Sequence, residues 1–222
     1  MEKLFLNITI SPELYIKNPE SSEVGKKIIS KSIVLIDELG FEGFTFKKLA
    51  KRINSTESTI YRYFENKHML LLYLTCWYWS WVEYKLVFGM NNIFSAEERL
   101  KIALNILTEP ISEDKSFFHI NEVLLHQIII NESTKVIYTK DVDSENEKGF
   151  YTVYKQIVNR LSDIVKEINP NYKYPSMLIS STIDGALHQK YFVNHFPSLI
   201  DNTQSTDCVS SFYNDLVFSA IK

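Results

Sequence analysis

The sequence predicts an all-α protein, and three observations support this prediction. Apolar residues recur at steps of three and four through almost every segment, which is the period of an amphipathic helix. The six Gly and six Pro fall mostly between these segments, where they end helices and form turns. With 222 residues, of which 45% are hydrophobic and 23% charged, the chain can bury a substantial core and is not expected to be disordered.

Three helices are predicted in the first third of the chain. Ser21 or Ser22 can cap the first helix, which we expect to end at Gly40 because glycine accepts the left-handed conformation after a helix. Thr45 can cap a short second helix, and Thr56 can cap a third. The predicted inner faces comprise Ile28, Ser32, Leu35, Leu39, Phe46, Leu49, Ala50, Ile53, Ile60 and Phe64.

A long fourth helix is predicted after a break at residues 65–67. Its apolar seam steps by four and three and comprises Leu70, Leu74, Trp77, Trp81, Tyr84 and Phe88. Further helices are expected near residues 95–108, 115–131, 146–168, 176–196 and 206–221, with an acidic loop at 139–149. The longest uncharged stretch, 14 residues from Met69 to Val82, is shorter than the roughly 18 that a membrane-spanning helix needs. No membrane segment is therefore expected.

Charge is distributed unevenly along the chain. The net charge is −3, but residues 21–75 carry nine Lys and Arg against six Asp and Glu, so the remainder is acidic. A basic segment on an acidic body is a mild form of the asymmetry seen in nucleic-acid-binding proteins. Cys76 and Cys208 lie far apart among apolar residues, and no signal peptide is evident, so a reducing cytoplasm is the expected location.

Two short helices joined by a tight turn and packed on a longer one are typical of a helix-turn-helix, whose second member enters the DNA major groove. With Ile60 and Phe64 inward, the third helix would expose polar residues on its other face. Arg62 can contact phosphate or guanine, and Tyr61 and Tyr63 can donate to phosphate oxygens. An ordinary solvated helix surface explains the same period and charge, because short helix pairs are common in all-α proteins.

The segment "GFEGFTFKKLAKRINSTESTIYRYFENKHMLL", residues 40–72, closely resembles the DNA-binding region of the tetracycline-repressor (TetR) family of bacterial regulators. The match comprises Thr45, Leu49-Ala50, Thr59-Ile60-Tyr61, Phe64, Lys67 and Leu70 in the family's spacing. The resemblance implies that the positions of Thr45, Tyr61 and Lys67 touch the DNA backbone and that residues 56–63 read bases. The full predicted DNA-binding set is Thr45, Lys47, Lys48, Thr56, Glu57, Ser58, Thr59, Tyr61, Arg62, Tyr63 and Lys67.

Two positions depart from the family's pattern. The turn, which in the family usually has glycine and then an apolar residue, is here Asn54-Ser55, and Asn tolerates the left-handed conformation. Glu57 stands where the family often has lysine; its carboxylate could accept from a cytosine amino group instead of contacting phosphate.

The resemblance also implies three parts: an N-terminal extension at residues 1–20, a helix-turn-helix domain at 21–67, and a ligand-sensing and dimerisation body at 68–222. The helices near 176–196 and 206–221 would form the homodimer interface. Gly185-Ala186 in the first of them would allow close helix approach, although packing within one subunit explains the same small residues.

Candidate ligand contacts in the body are aromatic or ionisable side chains. They comprise Trp77, Trp81, Tyr84, His119, Glu122, His126, Tyr151, Tyr154, Asp184 and His188. Core packing is the simpler interpretation of the tryptophans, though pockets are themselves mostly apolar. His119, Glu122 and His126 follow i, i+3 and i+7 spacing, which suggests a metal site or a polar pocket wall, although ordinary hydrogen-bonded side chains show the same spacing.

These observations favour a cytoplasmic, homodimeric transcriptional regulator over an enzyme. A Gly-rich phosphate loop, a Cys-x-x-Cys pair and a nucleophile elbow are all absent from the sequence. The expected partners are a palindromic double-stranded DNA operator and a small apolar or aromatic effector that releases a repressor from it, with no metal or cofactor. The alternative is a helical metal-binding or enzymatic protein that uses His119, Glu122 and His126.

Overall fold

All regular elements in the computed structural model are helices, which confirms the all-α prediction for residues 8–112, 117, 119–201 and 208–222, the part of the chain that the structure describes. The α-helices are α1 (Glu23–Gly43), α2 (Phe46–Arg52), α3 (Glu57–Tyr61), α4 (Lys67–Gly89), α5 (Ala96–Thr108), α6 (Glu122–Glu132), α7 (Thr134–Ile137), α8 (Val142–Glu147), α9 (Thr152–Ile168), α10 (Pro175–His195) and α11 (Cys208–Ala220). Short 3-10 turns lie at Pro12–Leu14, Pro19–Ser21 and Pro197–Leu199. None of the helices described is long and apolar enough to cross a membrane.

The chain divides into two compact units, and the boundary falls within α4. The first unit comprises residues 1–80 and 111–151, and the second comprises residues 81–110 and 152–222. In the first unit, α1 packs against α2 and α6. In the second, α9 packs against α5 and α10, and α11 packs against the same two helices.

The start and end of α1 follow the sequence closely. The Ser22 hydroxyl accepts the Gly25 N–H at 3.1 Å, so the predicted cap is confirmed. At the other end Gly40 adopts φ 67° and ψ 162°, an extended region essentially reserved for glycine and not the left-handed helical one that was expected. It interrupts α1 where the end was predicted, but α1 continues beyond this kink to Gly43. Leu39, just before this break, is 42% exposed, so its predicted inward position is wrong.

The helix pair α2–α3 is built on the predicted apolar positions. Phe46, Leu49, Ala50, Ile53, Ile60 and Phe64 are all buried. Thr45 accepts the Lys48 N–H at 3.2 Å, as its predicted capping role requires. Asn54 has φ 53°, so it supplies the left-handed residue of the turn. Thr56 occupies the N-cap position of α3 as predicted, but its hydroxyl bonds those of Ser58 and Thr59 and makes no capping bond to a backbone N–H.

Two of the predicted later helices are shorter than expected. The helix predicted at 115–131 begins only at Glu122, where Asn121 accepts the Leu124 N–H; residues 113–116 and 118 lie outside the described residues. The helix predicted at 146–168 is divided, because Gly149 has φ 80° and separates α8 from α9. The acidic stretch predicted as a loop at 139–149 therefore contains the short helix α8.

Residues 8–22, which comprise the described part of the predicted N-terminal extension and the two residues after it, pack tightly on α1. A Cβ added at Gly25 would lie 2.1 Å from the Pro19 carbonyl oxygen and 2.6 Å from its Cα, so only glycine permits this approach. Leu14 is 1% exposed, and the Ile16 N–H donates to the Tyr63 carbonyl at 2.8 Å. Residues 8–22 are thus an integral part of the first unit.

We expect Gly25→Ala to lower the free energy of unfolding by about 1–2 kcal/mol, because overpacking costs about 1–3 kcal/mol while alanine regains up to about 1 kcal/mol of helix propensity. Urea denaturation checks this value. The neighbouring Val24→Ala, at a residue 44% exposed, is the matched control and should change stability by less than about 0.5 kcal/mol. Equal stability of the two variants would contradict the close packing at Gly25.

Candidate nucleic-acid interface

The turn and the buried face of α2–α3 fix which side chains remain outside. The Phe46 ring packs edge-on against the Tyr61 ring, with centroids 5.0 Å apart, and leaves Tyr61 49% exposed. This contact orients Tyr61 on the outer side of α3 without burying it. The exposed members of the predicted DNA-binding set, here called the reading surface, are Thr45, Lys47, Lys48, Thr56, Glu57, Ser58, Tyr61 and Arg62, with Thr59 half-buried among them.

The charged side chains on the reading surface differ in whether they already make hydrogen bonds or ion pairs within the chain. Lys48 donates to the Gly43 carbonyl at 2.7 Å. The side chains of Lys47, Glu57 and Arg62 make no hydrogen bond or ion pair with any residue in the described part of the chain. They can therefore bind an external partner without breaking an internal contact.

Tyr63 does not belong to the reading surface, and its predicted exposure is wrong. It is 3% exposed, and its hydroxyl shares a hydrogen bond of 2.8 Å with the Ser22 hydroxyl. The Lys17 ammonium lies 5.3 Å from the centroid of its ring. The side chain therefore anchors residues 8–22 on the helix pair and leaves almost none of its surface accessible to a partner molecule.

Lys67 is also engaged inside the first unit. Its ammonium donates to the carbonyls of Phe41 at 3.0 Å and Phe44 at 3.5 Å, and it lies 4.6 Å from the centroid of the Phe41 ring. A phosphate contact by this ammonium would require it to leave both carbonyls. The structure thus favours a role for Lys67 in holding the α1–α2 junction.

The DNA-binding set predicted from the sequence omits two cations at the end of α2. Lys51 and Arg52 are exposed, and with Lys48 they border an open groove of about 450 Å³ whose floor is Leu35 and Leu39. Arg52 pairs with Glu38 at 2.6 Å and lowers the pKa of that carboxyl. The sequence did contain a signal for these two residues, because Lys48, Lys51 and Arg52 follow the i, i+3, i+4 spacing of one helix face.

The predicted ligand residues of the first unit are committed to internal contacts. Trp77 packs edge-on against Phe117, with centroids 5.1 Å apart. The His126 Nδ1 lies 2.8 Å from the Tyr78 hydroxyl. The Tyr151 hydroxyl donates to Glu145 at 2.6 Å, and burial is the main cause that raises its pKa.

His119, Glu122 and His126 do not form the suggested metal site. Because α6 begins at Glu122, His119 lies before the helix and not on its face; its Nε2 is 2.9 Å from Glu20. Glu122 is fully buried. Among the described residues, no three His, Cys, Asp or Glu side chains are grouped so that they could hold a metal ion.

In the second unit, three of the predicted ligand residues do come together. The Tyr154 hydroxyl donates to Asp184 at 3.2 Å, and His188 lies near enough to act on the same carboxyl electrostatically. Burial raises the pKa of Asp184, and its two neighbours partly offset this. Trp81 is 1% exposed beneath the Lys85 ammonium, which is 4.7 Å from its ring centroid, and Tyr84 packs against Phe88.

Sequence reasoning also missed Lys190 of α10. Its ammonium donates to the carbonyls of Leu107 at 3.3 Å and Glu109 at 3.1 Å, at the C-terminal end of α5. Burial, reinforced by Lys85, lowers its pKa to about 8. A lysine on an amphipathic helix gives no sequence signal of such burial.

A sequence model described as "Bacterial regulatory proteins, tetR family" matches residues 28–74. No curated protein matches the chain significantly. Three solved structures illustrate the wider similarity, each with a TM-score of 0.59. AibR in complex with isovaleryl coenzyme A and operator DNA is 16% identical, over 87% of this chain and 98% of its own. The TetR-family regulator PfmR from Thermus thermophilus is 12% identical over 88% and 98%. The superantigen PfiT is 15% identical over 91% and 97%.

Identities this low establish the fold alone, and the same fold includes a protein described as a superantigen. The match at residues 28–74 coincides with α2, the Asn54 turn and the reading surface. The resemblance seen in the sequence is thereby confirmed: residues 28–74 match the sequence model of the tetR family, and the chain shares its fold with solved TetR-family regulators such as PfmR.

Proposed function

We propose that this protein is a ligand-responsive transcriptional repressor that binds a palindromic DNA operator as a homodimer. The observation that carries the proposal is the reading surface itself. On this surface the exposed side chains of Lys47 and Arg62 make no hydrogen bond or ion pair with other residues of the described chain. Both lie on a helix pair within the segment that matches the tetR family. We assign DNA binding to residues 21–67 and sensing and dimerisation to residues 68–222, with a cytoplasmic location and no catalytic activity.

Each part of the reading surface has a role that its chemistry supports. Thr45, Lys47 and Lys48 would bind phosphates, and the Tyr61 hydroxyl would donate to another. Thr56, Ser58 and Thr59 are small enough for α3 to approach base edges, and Arg62 can pair with guanine or with phosphate. Glu57 would accept from a cytosine amino group, which gives the operator preference a feature peculiar to this chain.

Dimerisation through α10 and α11 is supported by apolar side chains that the single chain leaves exposed. Such residues on these helices and on the turn between them include Val193, Phe196, Leu199, Phe212 and Leu216, each 39–62% exposed. Gly185 serves packing within the chain, because a Cβ there would lie 2.2 Å from the Tyr213 hydroxyl. Two copies would present two reading surfaces to half-sites about one turn of DNA apart.

Effector binding is proposed for the second unit. Trp81, Tyr84, Tyr154, Asp184 and His188 lie there and combine aromatic surface with a polar cluster, as small-molecule sites do. AibR, which has this fold, was solved with isovaleryl coenzyme A. An effector that binds two conformations of the dimer unequally would shift α4, which runs through residues of both units, and would release the operator.

Lys47→Ala and Arg62→Ala should each weaken binding to DNA from the region upstream of the protein's own gene. Each lost phosphate contact should reduce the slope of log affinity against log salt by about 1. Fluorescence anisotropy over a salt series measures both quantities. Lys101→Ala removes an exposed lysine of α5 and is the charge-matched control. Unchanged affinity and slope in both test variants would count against the reading surface.

Tyr61→Phe and Tyr63→Phe should give opposite results, although each removes one hydroxyl. Tyr61→Phe is expected to weaken DNA binding and leave stability unchanged. Tyr63→Phe should reduce the free energy of unfolding by about 1 kcal/mol, since it loses the bond to Ser22, and should retain DNA binding. Urea denaturation and anisotropy on the two variants separate these outcomes, and a similar pattern in both would contradict the assignment.

Phe212→Asp should convert the homodimer into a monomer, because it places a charge in the apolar α10–α11 surface. Sedimentation velocity reports the mass directly. Tyr138→Asp introduces the same charge at a residue of the first unit that is 81% exposed, and should stay dimeric. A wild-type protein that sediments as a monomer would remove this part of the proposal.

A further inference from the structure

The junction between α1 and α2 is held at a single residue, Phe41, by groups from distant parts of the chain. Its N–H donates to the Glu132 Oε1 at 2.8 Å, and its carbonyl accepts from the Lys67 Nζ at 3.0 Å. Its ring is 6% exposed, with the Lys67 ammonium 4.6 Å and the Lys135 ammonium 5.9 Å from its centroid. Both peptide groups and the ring are therefore fixed at once.

The bond to Glu132 follows from the break at Gly40. The ψ of 162° at Gly40 turns the Phe41 N–H away from the helical ladder, so it needs another acceptor in a buried place. Glu132, at the C-terminal end of α6 and only 8% exposed, supplies that acceptor. A bond to an ionised carboxylate is stronger than one between neutral groups, and leaving either partner unpaired in a buried site is costly.

The position of the Glu132 carboxylate is in turn fixed by Lys135. The Lys135 ammonium lies 2.9 Å from the Glu132 Oε2 and 3.3 Å from Glu42, so it joins the two carboxylates on either side of Phe41. Its pKa is raised, chiefly by the hydrogen bond to Glu132. The carboxylate thus has little freedom to swing while its bond to Phe41 is kept.

We propose that Glu132 is a positioning residue for operator binding, which sets the orientation of α2 and α3 through the Phe41 N–H. Phe41 precedes the α2 cap Thr45 by only four residues, and α6 packs along α1 in the same unit. A displacement of the end of α6 must either move the α1–α2 junction with it or break this bond. The inference rests on the proposed DNA-binding function. It assigns the orientation of the DNA-binding helices to one buried carboxylate, that of Glu132.

The test compares Glu132→Ala with Glu132→Gln on a duplex that the wild-type protein enriches from a random-sequence DNA pool. Alanine loses the acceptor, whereas glutamine keeps an amide oxygen that can accept from Phe41. We expect Glu132→Ala to bind the enriched duplex about tenfold more weakly, and Glu132→Gln to stay within about threefold of wild type. Glu147→Ala, at an exposed residue of α8, removes the same charge and should bind as wild type does.

Two further measurements separate positioning from direct contact and from general instability. Non-specific affinity and the salt slope should not change in Glu132→Ala, since the phosphate contacts remain. Amide hydrogen exchange should accelerate in residues 41–52 and not in α9 to α11. Equal loss of specific and non-specific affinity, or unchanged exchange in residues 41–52, would overturn the inference. A wild-type protein that enriches no sequence would instead overturn the proposed function, and the exchange data would still decide the role of Glu132.

Discussion

The backbone conformation of Gly40 is the constraint on which the arrangement of the first unit depends. By leaving the helical region there, the chain ends the regular path of α1 and turns toward α2 within a few residues. The turn leaves the N–H and the carbonyl of the buried Phe41 in need of partners from outside α1. Glu132 of α6 accepts from this N–H, and Lys67 of α4 donates to this carbonyl. One unusual dihedral pair thus explains why two charged side chains from distant segments are directed at Phe41.

The two tyrosines of the helix pair show how packing decides between an outer and an inner role. Tyr61 lies on the last turn of α3, where contact with Phe46 leaves half of its surface outside. Tyr63 follows the end of α3, so the helical period no longer determines where it points, and its hydroxyl meets Ser22. Tyr61 is available to a partner molecule, while Tyr63 ties residues 8–22 to the helix pair α2–α3. Chemically identical side chains two positions apart thus serve different parts of the structure.

Local patterns predicted the fold well because they act within a few residues. The buried positions of α2, the cap at Thr45 and the left-handed Asn54 all follow from period and turn chemistry. The same patterns failed where a helix ended early: His119 precedes α6, so its predicted face does not exist, and Gly149 interrupts a helix expected to be continuous. Contacts such as Glu132 with Phe41, 91 residues apart, depend on tertiary packing and leave no periodic signal. The residues of the reading surface were therefore predictable, whereas the long-range contacts that hold α2 and α3 in place, such as that between Glu132 and Phe41, were not.

The first unit also buries an unusual set of ionisable groups near α6 and α8, including Glu122, His126, Glu132 and Glu145. Burying a carboxylate costs free energy, and it is tolerated where partners are present, as Phe41 and Lys135 are for Glu132 and His68 and Tyr151 are for Glu145. An apolar core of similar volume can be as stable, but a displaced helix would then leave no buried charge unpaired. Directional bonds to buried carboxylates penalise intermediate positions, because a displaced helix leaves a charge unpaired. These bonds therefore favour one position of the helices around α6, which is a property that the proposed control of DNA binding through Glu132 requires.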